Sequence, residues 1–215
     1  CTGNDLIDRL TALSDNITDL LRIDLDLYDL RSILSDFFTR IISYIKNDFP
    51  SHERVPKVIL ERAFKKNLIF AKFLTSDTEI LGYILYNNLE NESFTHVIYF
   101  AILSDYRSKN YGSEFMKQFR DEMLKNGKEI ILEVEDPAQS KNDEEVAIRT
   151  KRIAFYERLN FYLIENEKGF VLGRSCLFMS DASIKPKHHG SMFLESYVNI
   201  FQTSLIKLII KAKKF

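Results

Sequence analysis

Three apolar runs follow one another at short intervals: "LIFAKFL" at 68 to 74, "ILGYILYN" at 80 to 87 and "THVIYFAIL" at 95 to 103. The connections between them, "TSDTE" and "NLENESF", are too short for anything but turns, so the three runs predict an antiparallel meander. The next strand-like run, "KEIILEVE", comes only after a helical stretch carrying Phe115, Met116, Phe119 and Met123 on one side and ending near Asn126-Gly127. A crossover helix makes the strands before and after it parallel. A meander joined to a βαβ unit forces a mixed sheet with helices on both faces.

The flanks extend this order. "LLRIDLDLYDL" alternates, with Leu21, Ile23, Leu25 and Leu27 on one side, and reads as a half-buried strand. Asp29 can cap the next helix, whose apolar positions from Leu30 to Ile45 keep helical spacing until Pro50, and a second helix is expected from about Pro56 to Lys66. Past the polar loop "DPAQSKNDE", "EVAIRTKRIAFYERLN" predicts a helix reaching Asn160. "FYLIE" and "SCLFMS" predict two more strands with a hairpin-like excursion between them. In the tail, Phe193, Tyr197, Ile200, Phe201, Leu205 and Ile209 keep helical spacing, and the lysines at 207, 211, 213 and 214 read as the solvated end of an amphipathic helix docked on the domain or on a second subunit. The expected layout is an N-terminal extension over 1–20, one α/β domain over 21–182 with a mixed sheet of about seven strands, and a helical extension over 183–215.

Composition narrows the partners. Thirty Lys and Arg balance 31 Asp and Glu, so no global field recruits nucleic acid or an anionic membrane. Cys1 and Cys176 are too few for a secreted disulfide framework, the four histidines lack metal-ligand spacing, and the longest apolar tail run, "SLIKLII", is broken by Lys207. These features predict a soluble, cytoplasmic protein without a metal. The sequence begins at Cys1 without methionine, which fits trimming upstream; a lipid-anchored mature lipoprotein is the alternative, against the cytosolic character of the rest.

The stretch "DYRSKNYGSEF" at 105 to 115 stands where a strand hands over to a helix. Such a turn aims backbone N–H groups at one spot, beside the positive end of the helix dipole, which suits a phosphate or pyrophosphate. "RSKNYG" resembles the coenzyme-binding motif Arg/Gln-x-x-Gly-x-Gly/Ala of the GNAT superfamily of N-acetyltransferases, through Arg107 and Gly112, with Asn110 in place of the first glycine. Asparagine is the non-glycine residue most tolerant of positive φ. "AFYERLNFY" resembles that superfamily's Phe-Tyr-x-x-x-Gly-Phe segment, with Asn160 in place of glycine. "LEVEDP" and "FPSHERVP" resemble segments of small bacterial members, and the similarity spans roughly residues 21 to 182.

The resemblance implies an acyltransferase with a GNAT-like fold that moves the acetyl group of acetyl-CoA to a primary amine of a small molecule or protein. It implies a pyrophosphate cradled by the main chain of Ser108, Lys109, Asn110, Tyr111, Gly112 and Ser113, with Arg107 and Lys109 adding charge. It implies a pantetheine arm paired with the main chain from Phe100 to Ile102, a backbone N–H near Ile102 for the oxyanion, and Tyr156 as proton donor to the thiolate. Arg149, Arg152, Ile153 and Tyr156 fall on one helix face, where the arginines are expected to lower the tyrosine's pKa or hold coenzyme phosphate. For the base, Glu133 and Glu135 point to one face of an otherwise apolar strand and need a ligand, a cation or solvent there. Each stands as proton relay or structural salt bridge, with Tyr99 and His96 as weaker candidates. Glu53 or Arg54 is expected on the acceptor side. A non-catalytic acyl-CoA sensor or interaction module of the same fold is the alternative reading, and a homodimer is compatible with either.

Overall fold

The computed structural model describes residues 27–76, 79–88, 93–171, 174–181, 189–203 and 211–214. Helix α1 spans Leu27–Asp48, so Leu27, expected to end a strand, already lies in the helix; the rest of that expected strand falls outside the described residues. The helix stops two residues before Pro50, whose ring disfavours helical geometry in the residue preceding it. Helix α2 is Lys57–Lys65, entered through Pro56 as expected. Its Leu60 and Ala63 pack with Ile41, Ile42 and Ile45 of α1.

Strands β1 (Phe70–Thr75), β2 (Ile80–Asn88) and β3 (Phe94–Ile102) form the antiparallel meander. Helix α3 (Tyr111–Lys125) crosses to β4 (Glu129–Glu135), which pairs in parallel with β3. After α4 (Asp143–Glu157), capped by the Asn142 side chain on the Glu145 amide, come β5 (Tyr162–Val171) and β6 (Arg174–Ser180). The expected excursion between them is an extension of β5 itself, paired with β6 down to Val171 and Arg174 across a register irregularity after Leu163.

Helix α5 (His189–Phe201) covers only the first half of the predicted tail helix. Lys211, Lys213 and Lys214 belong to strand β7 (Lys211–Lys214), paired antiparallel with β5, not to a solvated helix end. Lysine and alanine favour helix, but the unpaired edge of β5 offers backbone partners that override this weak preference. Leu205, Lys207 and Ile209 lie outside the described residues. The sheet runs β1-β2-β3-β4-β6-β5-β7, seven strands among the described residues, with β7 as one of them.

One face of the sheet packs under α3 and α4 through Phe115, Met116, Phe119, Ile130, Leu132, Val134, Tyr156 and Phe161. The other face packs under α1, α2 and α5, through two clusters that include Tyr83, Leu85 and Tyr99 on one side and Phe94, Phe178 and Phe193 on the other. Among the described residues no helix is long and apolar enough to cross a membrane.

The sheet is interrupted between β3 and β4. Their pairing runs only from Phe94 and Glu129 to Val97 and Leu132, although both strands continue. At the same level the β2–β3 register jumps, Tyr86 opposing Val97 and Leu85 opposing Tyr99, which leaves Ile98 as the extra residue of a bulge. A bulge bends its strand and reverses the facing of the residues beyond it. Val97, Phe100 and Ile102 accordingly join the α3/α4 core, whereas Ile98, Tyr99 and Ala101 join the opposite one. The bulge thus opens a gap in the middle of the sheet.

Candidate active site

The gap is a cleft of about 670 Å³. From the α3/α4 side it is lined by Phe100, Ile102, Phe155 and Tyr156; from the α5 side by Glu133, Cys176 and Tyr197; and at its rim by the 107–113 turn with Lys151, Arg152 and Arg158 of α4 and its end.

The turn has the conformation its sequence predicts. Asn110 caps α3 at φ 65° and ψ −2°, in the left-handed region, and Asn160 reaches φ 61° after α4. Ser108 is also left-handed at φ 62°, which sequence reasoning did not anticipate. Two left-handed residues within three positions turn successive amides toward one side. Among the described residues no acceptor takes the amides of Ser108, Lys109, Asn110, Tyr111 or Gly112. Ser113 differs from expectation: its amide donates to the Asn110 carbonyl at 3.1 Å, closing the first turn of α3.

Gly112 is not a left-handed glycine; Gly127 alone has positive φ among the described glycines. The fold itself leaves room for a side chain at Gly112. A Cβ there would rest 3.4 Å from Ile102 Cγ1, and 3.7 Å from both Phe100 Cζ and Phe155 Cε2, all on cleft-lining residues.

Arg107 and Lys109, expected near phosphate, are committed to the protein. Arg107 Nε donates to the Ile102 carbonyl at 2.8 Å, and its Nη2 pairs with Asp48 of α1 at 2.6 Å. Tyr83 donates to the other Asp48 oxygen at 3.1 Å, and burial, outweighing these partners, raises the Asp48 pKa. Arg107 therefore braces the turn against β3 and α1. Lys109 Nζ donates to the Asp105 carbonyl at 3.1 Å and lies over the Tyr106 ring. Lys151 and Arg158 line the cleft without an ion pair among the described residues, and neither was singled out from sequence.

Tyr156 is 8% exposed, packs edge-on against Phe161, and its hydroxyl bonds to no described residue. Burial pushes its phenol up to about 12, with Arg152 opposing more weakly. Arg152 acts in the expected direction but is outweighed, because desolvation of a phenolate exceeds the pull of a guanidinium already paired with Glu135. Arg152 is bonded to Glu135, and Arg149 turns away to the Asp136 carbonyl at 2.9 Å and to Glu145. Of that helix face only Arg152 and Tyr156 line the cleft.

The two carboxylates of β4 part company. Glu135 neutralises Arg152, the salt-bridge role. Glu133 accepts a hydrogen bond from Tyr197 and has His96 Nε2 at 3.1 Å. His96 is wholly buried and does not line the cleft. Tyr99 is occupied elsewhere, accepting from the Val55 amide at 2.7 Å and donating to the Glu53 carbonyl at 3.3 Å, with its phenol raised to about 12 by burial. Glu53 lines the cleft, where Arg174 Nη1 lies 3.6 Å from it, whereas Arg54 is turned to the Phe49 carbonyl. Tyr197, Ser196 and Arg174 were missed in the sequence. The signal for the first two is polar side chains on the inward side of the apolar "MFLESYVNIF".

A mixed sheet is split at a bulge, and beside the split unpartnered amides gather where a strand passes into a helix, donors suited to an anion. The acetyltransferase (GNAT) family matches residues 27–161, well over half of the chain, and the chain belongs to that family. No curated protein matches the sequence. Among solved structures, a GNAT-family protein from Bacteroides thetaiotaomicron is similar over 79% of this chain and 94% of its own, at 18% identity and a TM-score of 0.64. The aminoglycoside 6'-N-acetyltransferase from Enterococcus faecium is similar over 71% and 93%, at 15% identity and a TM-score of 0.53. An aminoglycoside 6'-N-acetyltransferase complexed with coenzyme A is similar over 69% and 92%, at 15% identity and a TM-score of 0.51. At these identities the likeness concerns the fold; family membership supports acyl transfer as the chemistry.

Proposed function

We propose that this chain is an acetyl-CoA-dependent N-acetyltransferase acting on a primary amine. The observation that carries the reading is the row of five unpartnered amides, Ser108 to Gly112, at the rim of the β3/β4 cleft that Tyr156 also lines. The amides would hold the pyrophosphate, with Lys151 and Arg158 beside it, and the β4-facing edge of β3 from Phe100 to Ile102, where pairing with β4 has ended, would meet the pantetheine amides.

In the reaction, the acceptor ammonium first gives a proton to Glu133. The amine lone pair then attacks the thioester carbon, and an N–H near Ile102 meets the developing oxyanion. As the C–S bond breaks, the thiolate takes the proton of Tyr156, and the attacking nitrogen gives up its remaining extra proton, through solvent, to the tyrosinate as the amide forms. A phenol with pKa near 12 keeps that proton throughout the neutral range, so it serves as acid and not as base. The acceptor meets Glu53, Glu133 and Tyr197, an acidic and aromatic lining suited to a cation.

The test is release of free thiol from acetyl-CoA with a panel of amines, alongside thermal stabilisation by the coenzyme. Turnover with Tyr156→Phe strongly impaired supports the enzyme. Coenzyme binding without turnover of any amine supports the non-catalytic sensor, and neither binding nor turnover refutes both.

A further inference from the structure

A buried polar chain runs from Glu133 away from the cleft, through β3 and β2 to α5, which lies beyond the family-matched residues. Its directions are set by what each group can donate. Asn87 Nδ2 donates to the Leu68 carbonyl and, at 3.0 Å, to Asn199 Oδ1, which fixes Asn87 Oδ1 as the end facing Ser196. That oxygen only accepts, so the Ser196 hydroxyl spends its one proton on it at 3.2 Å. His96 Nδ1, 2.8 Å from Ser196 Oγ, must then donate to Ser196. A neutral imidazole protonated on Nδ1 carries a bare lone pair on Nε2. That lone pair faces Glu133 Oε2 at 3.1 Å, where two acceptors repel unless a proton lies between them.

We infer that His96 and Glu133 form a one-proton dyad whose polarity is imposed from α5 by Ser196 and Asn199 through Asn87, with Tyr197 holding the other Glu133 oxygen. The inference rests on the acetyltransferase reading for its catalytic consequence and on hydrogen-bond logic alone for its structure. His96, Asn87 and Ser196 are wholly buried, and the imidazole is clasped edge-on by Phe193 and Tyr197, so water cannot stand in for any member. Tyr99 of β3 and Cys176 of β6 also interact with Glu133, and Arg174 of β6 and Glu53 line the same cleft. The acceptor-side carboxylate thus meets the amine in a protonation state set by a helix the family match does not reach. Ser196 and Tyr197 are positioning residues for Glu133.

The experiment uses the full chain labelled with ¹⁵N-histidine, together with the pH profile of kcat/KM for wild type, Ser196→Ala and Tyr197→Phe. The dyad predicts His96 protonated on Nδ1 near neutral pH, with a second proton shared at Nε2. Loss of the Tyr197 or Ser196 hydroxyl lowers kcat/KM about tenfold and moves its acid limb to higher pH for Tyr197→Phe, with the coenzyme Kd unchanged. A His96 carrying its proton on Nε2 with Nδ1 bare overturns the dyad whether or not the protein turns over. Wild-type turnover with both variant pH profiles unmoved overturns the catalytic link alone, and a correctly protonated His96 in a protein that acetylates no amine overturns the enzyme reading instead.

Discussion

Gly112→Ala separates the fold's needs from the ligand's. Gly112 is the second residue of α3 and does not adopt positive φ, so alanine enters without backbone strain. Its methyl would meet Ile102, Phe100 and Phe155 at 3.4 to 3.7 Å, ordinary contact that displaces nothing. Alanine is favoured over glycine by up to about 1 kcal/mol inside a helix, and roughly half of that is expected so near the end. The variant should therefore melt at the wild-type temperature or about 1–2 °C above it. The same methyl stands at the rim of the amide row, where a pyrophosphate must come within hydrogen-bond distance. Displacing one charge-assisted bond of about 1.5–3 kcal/mol weakens coenzyme A binding about 10- to 100-fold. Calorimetric titration and thermal melts on the same preparations read both quantities. An unchanged Kd would refute the placement of the phosphate, and a melting temperature several degrees lower would refute the claim that the fold itself leaves room at Gly112.

Tyr156→Phe should lower kcat about 10²- to 10³-fold, with coenzyme Kd and melting temperature nearly unchanged, in steady-state assays paired with calorimetry; a full-rate variant would remove Tyr156 from the proton path. Asn110→Ala should cost about 1–2 kcal/mol in urea unfolding while Asn110→Gly costs nothing measurable, because only the first meets the left-handed penalty at φ 65°. Burial raises Tyr86, Tyr99 and Tyr156 from the ordinary value of 10 to about 12. Their protonated forms are thus favoured by folding, with a contribution complete below pH 10 and lost as the pH climbs to 12, on the order of 2 kcal/mol for each. Urea unfolding between pH 8 and 11.5 should show that decline, less steeply in Tyr99→Phe, and a flat profile would contradict it.

What the sequence made legible was local chemistry with few alternatives. Asparagine at 110 and 160 announced left-handed backbone because hardly any other side chain tolerates it, and "KEIILEVE" after one crossover helix left only a parallel pairing. Ser108 gave no such warning, since serine has no comparable preference and its φ is imposed by the braced residues around it. The Lys211–Lys214 strand was illegible for a related reason: its conformation is decided by the edge of β5, far earlier in the chain. The site divided in the same way. Glu133 and Glu135 were visible together as carboxylates on an apolar strand, but only the fold could give Arg152 to one and His96 with Tyr197 to the other. Arg107 drew attention as a cation near phosphate, and the structure spends it on Asp48.

The most direct measurement is titration of the ¹⁵N-labelled protein with coenzyme A, following its backbone amides. Large shifts confined to residues 108 to 112 and to the stretch from 98 to 102 that has lost its β4 partner are the predicted result, with Ser113 moving less because its amide is already engaged. Saturable binding that leaves those amides unmoved while others shift would contradict the account at its root.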